Sequence, residues 1–154
     1  MYTDEQKRDL LTIARQSILT FLEMKKLPRW RLFEDYMKEK RGAFVTLKTK
    51  GGDLRGCIGT MEPMQALGEA VTKMAVEAAT ADPRFPAVAK EEMENLVVEI
   101  SVLSPMKRVK NASEIEMKKH GVMVKSGYKT GVFLPQVAEE TGWSREEFLG
   151  CLCG

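Results

Sequence analysis

Residues 96–103 read Leu-Val-Val-Glu-Ile-Ser-Val-Leu. Leu96, Val98, Ile100 and Val102 fall on one side of an extended chain, and Val97, Glu99, Ser101 and Leu103 fall on the other. Successive side chains of a strand point to opposite faces, so this period of two predicts a strand over 96–103. A strand needs a partner. Ala43-Phe-Val-Thr-Leu-Lys48 alternates in the same way and predicts one. Lys50-Gly-Gly-Asp53 is a turn signal, and a hairpin return through Leu54 to Thr60 follows from it.

Helices fill the rest of the first two-thirds of the chain. Thr3 followed by Gln6 is a capping box, in which each side chain satisfies an orphan amide of the first turn. Leu10, Ala14, Ser17, Ile18 and Phe21 repeat behind it at helical spacing and predict a helix from about Thr3 to Lys26, stopped by Pro28. Met64, Leu67, Val71, Met74, Ala75 and Ala78 form an apolar stripe for a second helix over 64–79. Its alanines imply close packing against a sheet. Asp82-Pro-Arg-Phe-Pro86 then breaks the chain. Between the first helix and the first strand, Trp30, Leu32, Phe33, Tyr36 and Met37 fit either one face of a short helix or a loop packed under the core.

Beyond the central strand, Val122 to Lys125 and Val132 to Leu134 flank residues 126–131 and predict a second hairpin. Ser144 with Glu147 is another capping box, opening a terminal helix through Phe148 and Leu149. No internal repeat, linker or low-complexity segment interrupts this order. It predicts one α+β domain over 1–154, with a mixed, largely antiparallel sheet and helices packed on it.

The chain carries 24 Lys and Arg against 22 Asp and Glu, a net charge of +2 that demands no polyanionic partner. Residues 105–130 are locally basic, through Lys107, Arg108, Lys110, Lys118, Lys119, Lys125 and Lys129. With Tyr128 they offer a weak nucleic-acid alternative, although the stretch has no aromatic-interleaved motif. Residues 77–99 lean acidic, and two solvated faces of opposite sign account for both stretches. Three cysteines are an odd number, residues Met1 to Asp9 are charged, and no window approaches the run of about 18 apolar residues that a span needs. The expectation is a cytoplasmic protein with reduced thiols and no membrane partner.

Leu54-Arg-Gly-Cys-Ile-Gly-Thr60 is the segment that carries candidate chemistry. Cys57 sits between Gly56 and Gly59, beside Arg55, at the end of a strand. The glycines permit unusual backbone angles and let a ligand approach the main chain. A neighbouring cation favours thiolate over thiol, the form a nucleophile requires. The structural alternative is a small cysteine sealed in a tight bend. His120 is the only histidine and so the only partner for a conventional Cys57–His120 dyad, although its place between Lys119 and Gly121 fits an exposed turn. No metal site is expected: Cys151 and Cys153 are two apart on a helix, which points them away from one another.

Phe44-Val-Thr-Leu47, Leu54-Arg-Gly-Cys-Ile-Gly59, Asp82-Pro-Arg-Phe85, Glu99-Ile-Ser-Val-Leu-Ser-Pro105 and Gly131-Val-Phe-Leu-Pro-Gln-Val137 occur in the order seen in one family. The chain resembles the AMMECR-type domain, also called AmmeMemoRadiSam system protein A, over nearly its whole length. Leu10 to Arg15 and Gly142 to Leu149 are similar too. The resemblance implies an α+β fold of two closely associated subdomains. It also implies the company of a Memo-type protein and a radical S-adenosylmethionine enzyme. It implies no defined reaction and no particular cofactor. Members usually continue beyond Cys151-Leu-Cys-Gly154, so a shortened C-terminus is expected. Arg55, Gly56, Cys57 and Gly59 match the family signature, and Asp82 and Arg84 fall in its second motif. Arg84 then has two readings: a bidentate anion contact, or an ion pair with Asp82 that fixes a proline-rich loop. Gln136 either offers an amide to a ligand or simply begins a helix after Pro135.

Three functions follow as expectations. One is an enzyme or enzyme subunit with a pocket of Arg55, Cys57, Asp82 and Arg84. Another is a non-catalytic adaptor. The third is a nucleic-acid-associated module.

Overall fold

The computed structural model describes residues 1–154, which divide into two compact units, Met1–Met106 and Lys107–Gly154. In the first unit helix α1 spans Asp4–Met24, a one-turn helix α2 Asp35–Lys38, strands β1 and β2 Ala43–Thr49 and Leu54–Thr60, helix α3 Leu67–Thr80, and strand β3 Leu96–Val102. A 3₁₀ turn over Lys90–Asn95 leads into β3. The strands form one sheet in the order β2-β1-β3, and both pairings are antiparallel. β2 and β3 therefore run parallel on either side of β1, joined by a crossover through α3, which is a split βαβ unit.

The two faces of this sheet differ sharply. Ala43, Val45 and Leu47 of β1 are fully buried. They lie opposite Ile58 and Gly56 of β2 and Val102, Ile100 and Val98 of β3. α1 and α3 cover this face with Leu10, Ala14, Ile18, Leu67, Val71, Met74 and Ala75. Each large aliphatic side chain buried there stabilises the fold by about 1.5–3 kcal/mol. The opposite face carries Phe44, Thr46 and Lys48, with Cys57 and Gly59 on one side and Val97, Glu99 and Ser101 on the other. None of these residues is buried.

The alternation of 96–103, the capping box at Thr3 and the Lys50–Asp53 turn form as the sequence predicts. Three local features differ. α1 stops at Met24 because Lys25 turns left-handed (φ 56°), several residues before Pro28. Met64 does not belong to the α3 stripe and is 70% exposed. The main chain just after it is extended, where Ala66 bridges Lys40 and the Leu67 N–H donates to Glu39 O, so the helix opens three residues later. In residues 29–41 one helical turn forms at 35–38, whereas the loop before it is not packed under the core: Trp30 and Phe33 are exposed and only Leu32 turns inward, toward Gly68.

In the second unit β4 (Val122–Ser126) and β5 (Lys129–Phe133) form an antiparallel hairpin. Its turn is only Gly127 and Tyr128, shorter than the flanking residues suggest. Gly127 adopts φ +60°, the positive value that two-residue hairpin turns need. Helix α4 (Pro135–Thr141) begins on Pro135 and helix α5 (Arg145–Cys153) on the Ser144–Glu147 capping box. No helix of the chain is long and apolar enough to cross a membrane.

Candidate functional site

Cys57 lies on β2, an edge strand, opposite Thr46 of β1. Its main-chain groups point away from the sheet, where an edge strand would ordinarily expose them. Here the segment that follows α3 closes that edge. Asp82 Oδ2 accepts the Cys57 N–H at 2.9 Å, and Arg84 Nη2 donates to Cys57 O at 3.4 Å. The Asp-Pro-Arg segment thus takes the place of a fourth strand at one residue.

Asp82 is only 4% exposed, yet ionised. Its carboxylate accepts from Arg84 Nη2 at 2.7 Å, from Arg84 Nε at 3.0 Å and from the Arg84 main-chain N–H at 3.1 Å, besides Cys57. The Arg84 guanidinium is the largest influence and holds the carboxyl well below the usual carboxylate range; burial opposes it, and the two main-chain amides add to it. Arg84 is raised in turn, chiefly by Asp82 against its own desolvation.

Arg55 belongs to a second clamp. Its Nε and Nη2 donate to Glu92 at 2.6 and 3.2 Å, a forked pair, and its Nη1 donates to Pro86 O at 2.8 Å. Arg55 depresses the Glu92 carboxyl, with burial opposing. Arg84 therefore reaches the Cys57 main chain, whereas the Arg55 guanidinium is engaged by Glu92 and Pro86 O.

Neither glycine of the signature uses a left-handed conformation. A Cβ on Gly56 would lie 2.1 Å from the Ala78 carbonyl oxygen, so Gly56 lets the end of α3 rest on the strand. A Cβ on Gly59 would meet the Phe44 ring at 2.2 Å, because that ring lies across the glycine from the neighbouring strand. The close approaches expected of a ligand are made at both positions by the chain itself.

The Cys57 side chain is half-buried on the sheet face that no core residue occupies. Its Sγ lies 3.2 Å from Thr46 Oγ1. Across β1 from Cys57, Glu99 of β3 also pairs with Thr46 and forms an ion pair with Lys48 at 3.1 Å. Thiol, hydroxyl and carboxylate thus stand in one row across three strands. Thr46, Glu92 and Glu99 escaped sequence reasoning. Register was the signal that places Thr46 beside Cys57, and it passes through a bulge at Leu47/Lys48 that no residue pattern announces.

The other candidates lie in the second unit. His120 follows a turn, and its Nδ1 accepts the Glu116 N–H at 3.1 Å. Gln136 is in the first turn of α4. Cys151 and Cys153 are exposed on α5. No group of three or more His, Cys, Asp or Glu side chains is arranged to hold a metal ion.

Comparison with known proteins agrees with this architecture. Residues 11–154 match the AMMECR1 family model. Protein Mbar_A1807 of Methanosarcina barkeri is 43% identical over 99% of this chain and 80% of its own length. Protein MK0488 of Methanopyrus kandleri is 43% identical over 98% of this chain and 77% of its own. The crystal structure of protein PH0010 from Pyrococcus horikoshii superposes with a TM-score of 0.92 at 39% identity, covering 98% of this chain and 79% of that one.

Proposed function

The chain belongs to the AMMECR1 family, and on that premise we propose that it works as an enzyme or enzyme subunit through the thiol of Cys57. One observation carries this reading. The main chain of Cys57 is held at its N–H by Asp82 and at its carbonyl by Arg84, while its sulfur stays half-buried on the sheet face away from the α1 and α3 core, beside the Thr46 hydroxyl. A cysteine kept only to fill a bend would be sealed among apolar side chains.

In this reading Arg84 and Asp82 position the strand, and Arg84 supplies the nearby positive charge. Thr46 donates to the sulfur once its proton has passed to solvent, which leaves a thiolate able to act as a nucleophile. The Memo-type protein and radical S-adenosylmethionine enzyme implied by the resemblance are its proposed companions, in the cytoplasm. Co-purification of the tagged chain with each of them tests that part.

A second reading has its own support. Arg55, Glu92, Asp82 and Arg84 satisfy one another, so their charges serve as internal clamps and the signature becomes the scaffold of a non-catalytic adaptor. Timed alkylation with iodoacetamide, mapped by mass spectrometry, separates the two. The thiol reading expects Cys57 to label in the folded protein, faster than Cys151 and Cys153. A Cys57 that stays unlabelled until the protein is denatured sinks it and leaves the scaffold.

A further inference from the structure

Between α1 and α2 the chain runs Met24-Lys-Lys-Leu-Pro-Arg-Trp-Arg-Leu-Phe33. Lys25, Lys26, Arg29 and Arg31 are all exposed, and no acid falls between Glu23 and Glu34. None of the four takes part in an ion pair, whereas two flanking acids are already engaged: Glu23 by Lys90 at 3.5 Å and Asp35 by Lys38 at 3.6 Å. Glu34, next to Phe33, is exposed and in no ion pair, so it offsets one of the four cations and the loop keeps a net positive charge.

Large apolar side chains alternate with these cations. Met24 is 64% exposed, Leu27 48%, Trp30 38% and Phe33 70%. The loop that shows them is held in place. Trp30 Nε1 donates to Oγ of the wholly buried Ser17 at 2.8 Å. Leu32 fills the space beside Gly68, where a Cβ would come within 2.4 Å of it. Lys38 Nζ donates to Phe33 O at 3.3 Å. Exposure of this kind on an anchored segment marks an interaction surface.

We propose that this loop seats the protein on the surface of an anionic lipid bilayer. The four cations meet the negative headgroups, and Met24, Leu27 and Phe33 enter the boundary between headgroups and acyl chains. Apolar insertion and charge attraction are each weak alone and add to give reversible binding. The aliphatic chains select this partner over a single-stranded nucleic acid. Bases would stack on Trp30 and Phe33 but have no use for Met24 or Leu27, and the Arg31 guanidinium already lies 5.1 Å from the centre of the Phe33 ring. The expectation of no membrane partner rested on the lack of a spanning segment, which surface docking does not need. This inference is independent of Cys57.

Sedimentation of the full chain with phosphatidylcholine vesicles, alone or mixed with phosphatidylglycerol, tests it. Binding is expected on the mixed vesicles, falling with salt and weaker by at least about fivefold on the neutral ones. Lys26→Glu with Arg29→Glu, and separately Leu27→Ser with Phe33→Ser, should each weaken it about fivefold or more without changing the thermal midpoint. All four residues are exposed, so both variants should fold. No binding to mixed vesicles overturns the proposal. So does binding that ignores the Leu27 and Phe33 pair, since charge alone would then explain it. A labelled oligouridylate retained by the loop while vesicles are not would assign the surface to nucleic acid instead.

Discussion

The Asp82 carboxylate accepts the Cys57 main-chain N–H at 2.9 Å, and this one bond ties the end of the α3 crossover to the free edge of β2. Asp82 is also the group on which three Arg84 hydrogen bonds and the closure of the strand depend. Replacing Asp82 with Ala leaves a main-chain donor without its partner, at a cost of about 1–3 kcal/mol. Loss of one partner of a buried ion pair costs about 3–5 kcal/mol when the survivor is also buried. The Arg84 side chain is 55% exposed, so water takes over its solvation and the lower range applies. Asp82→Asn, which keeps the shape and one acceptor, should lose less. Urea midpoints of the three proteins check the order.

Acid should weaken the same contacts. Asp82 and Glu92 both have folded values depressed by their arginine partners. A depressed carboxyl contributes stability that is fully present above its unfolded value, near 4, and is lost as pH falls through the folded one. Thermal midpoints should therefore hold from neutrality down to about pH 5 and fall below about pH 4, less steeply in Asp82→Asn. The alkaline side has the opposite sign. Burial and then Asp9 push Tyr36 up to about 12, so above its unfolded value, near 10, the unfolded chain loses a proton that the folded one keeps. Stability should decline from about pH 10 upward, and Tyr36→Phe should flatten that decline.

The two signature glycines should respond unequally to alanine. At Gly56 the obstacle is the Ala78 carbonyl, part of the helix backbone; at Gly59 it is the Phe44 ring, which can rotate away. Gly56→Ala is expected to cost about 1–3 kcal/mol or more, because α3 must lift from the strand. Gly59→Ala should cost less. Equal urea midpoints for the two variants would show that α3 yields as easily as a side chain.

What could be read in advance followed from local chemistry. The alternation at Leu96–Val102, the capping boxes at Thr3 and Ser144 and the Gly51–Gly52 turn each depend on residues within a few positions, and all formed. Cys57, Asp82 and Arg84 were legible as candidates, but their roles were not. The partner of the Cys57 amide is 25 residues away, and that of the Arg55 guanidinium 37. Arg55 looked like the cation of the thiol because it is close in sequence. Instead it points to Glu92, and Arg84 is the cation that reaches the Cys57 main chain. Met64 misled for a related reason: it continued the apolar period of α3, but an extended contact between Ala66 and Lys40 claimed the backbone first.

The Thr46 hydroxyl, 3.2 Å from Cys57 Sγ, offers the most direct test of how the site works. While the sulfur carries its proton, either group can donate. Once the proton is gone only the hydroxyl can, so the bond must favour the thiolate if it acts on reactivity at all. Thr46→Val removes the hydroxyl and keeps a β-branched side chain suited to the strand. A hydrogen bond of this kind is worth about 0.5–1.5 kcal/mol, which corresponds to a slowing of Cys57 alkylation by about two- to twelvefold at fixed pH. Thr46→Ser restores the hydroxyl and should react nearly as the parent does. Cys151, on α5, serves as the internal reference and should not change in either variant. Slowing in both variants would point to packing rather than the hydroxyl. An unchanged rate in Thr46→Val would make the contact incidental to whatever reactivity Cys57 has.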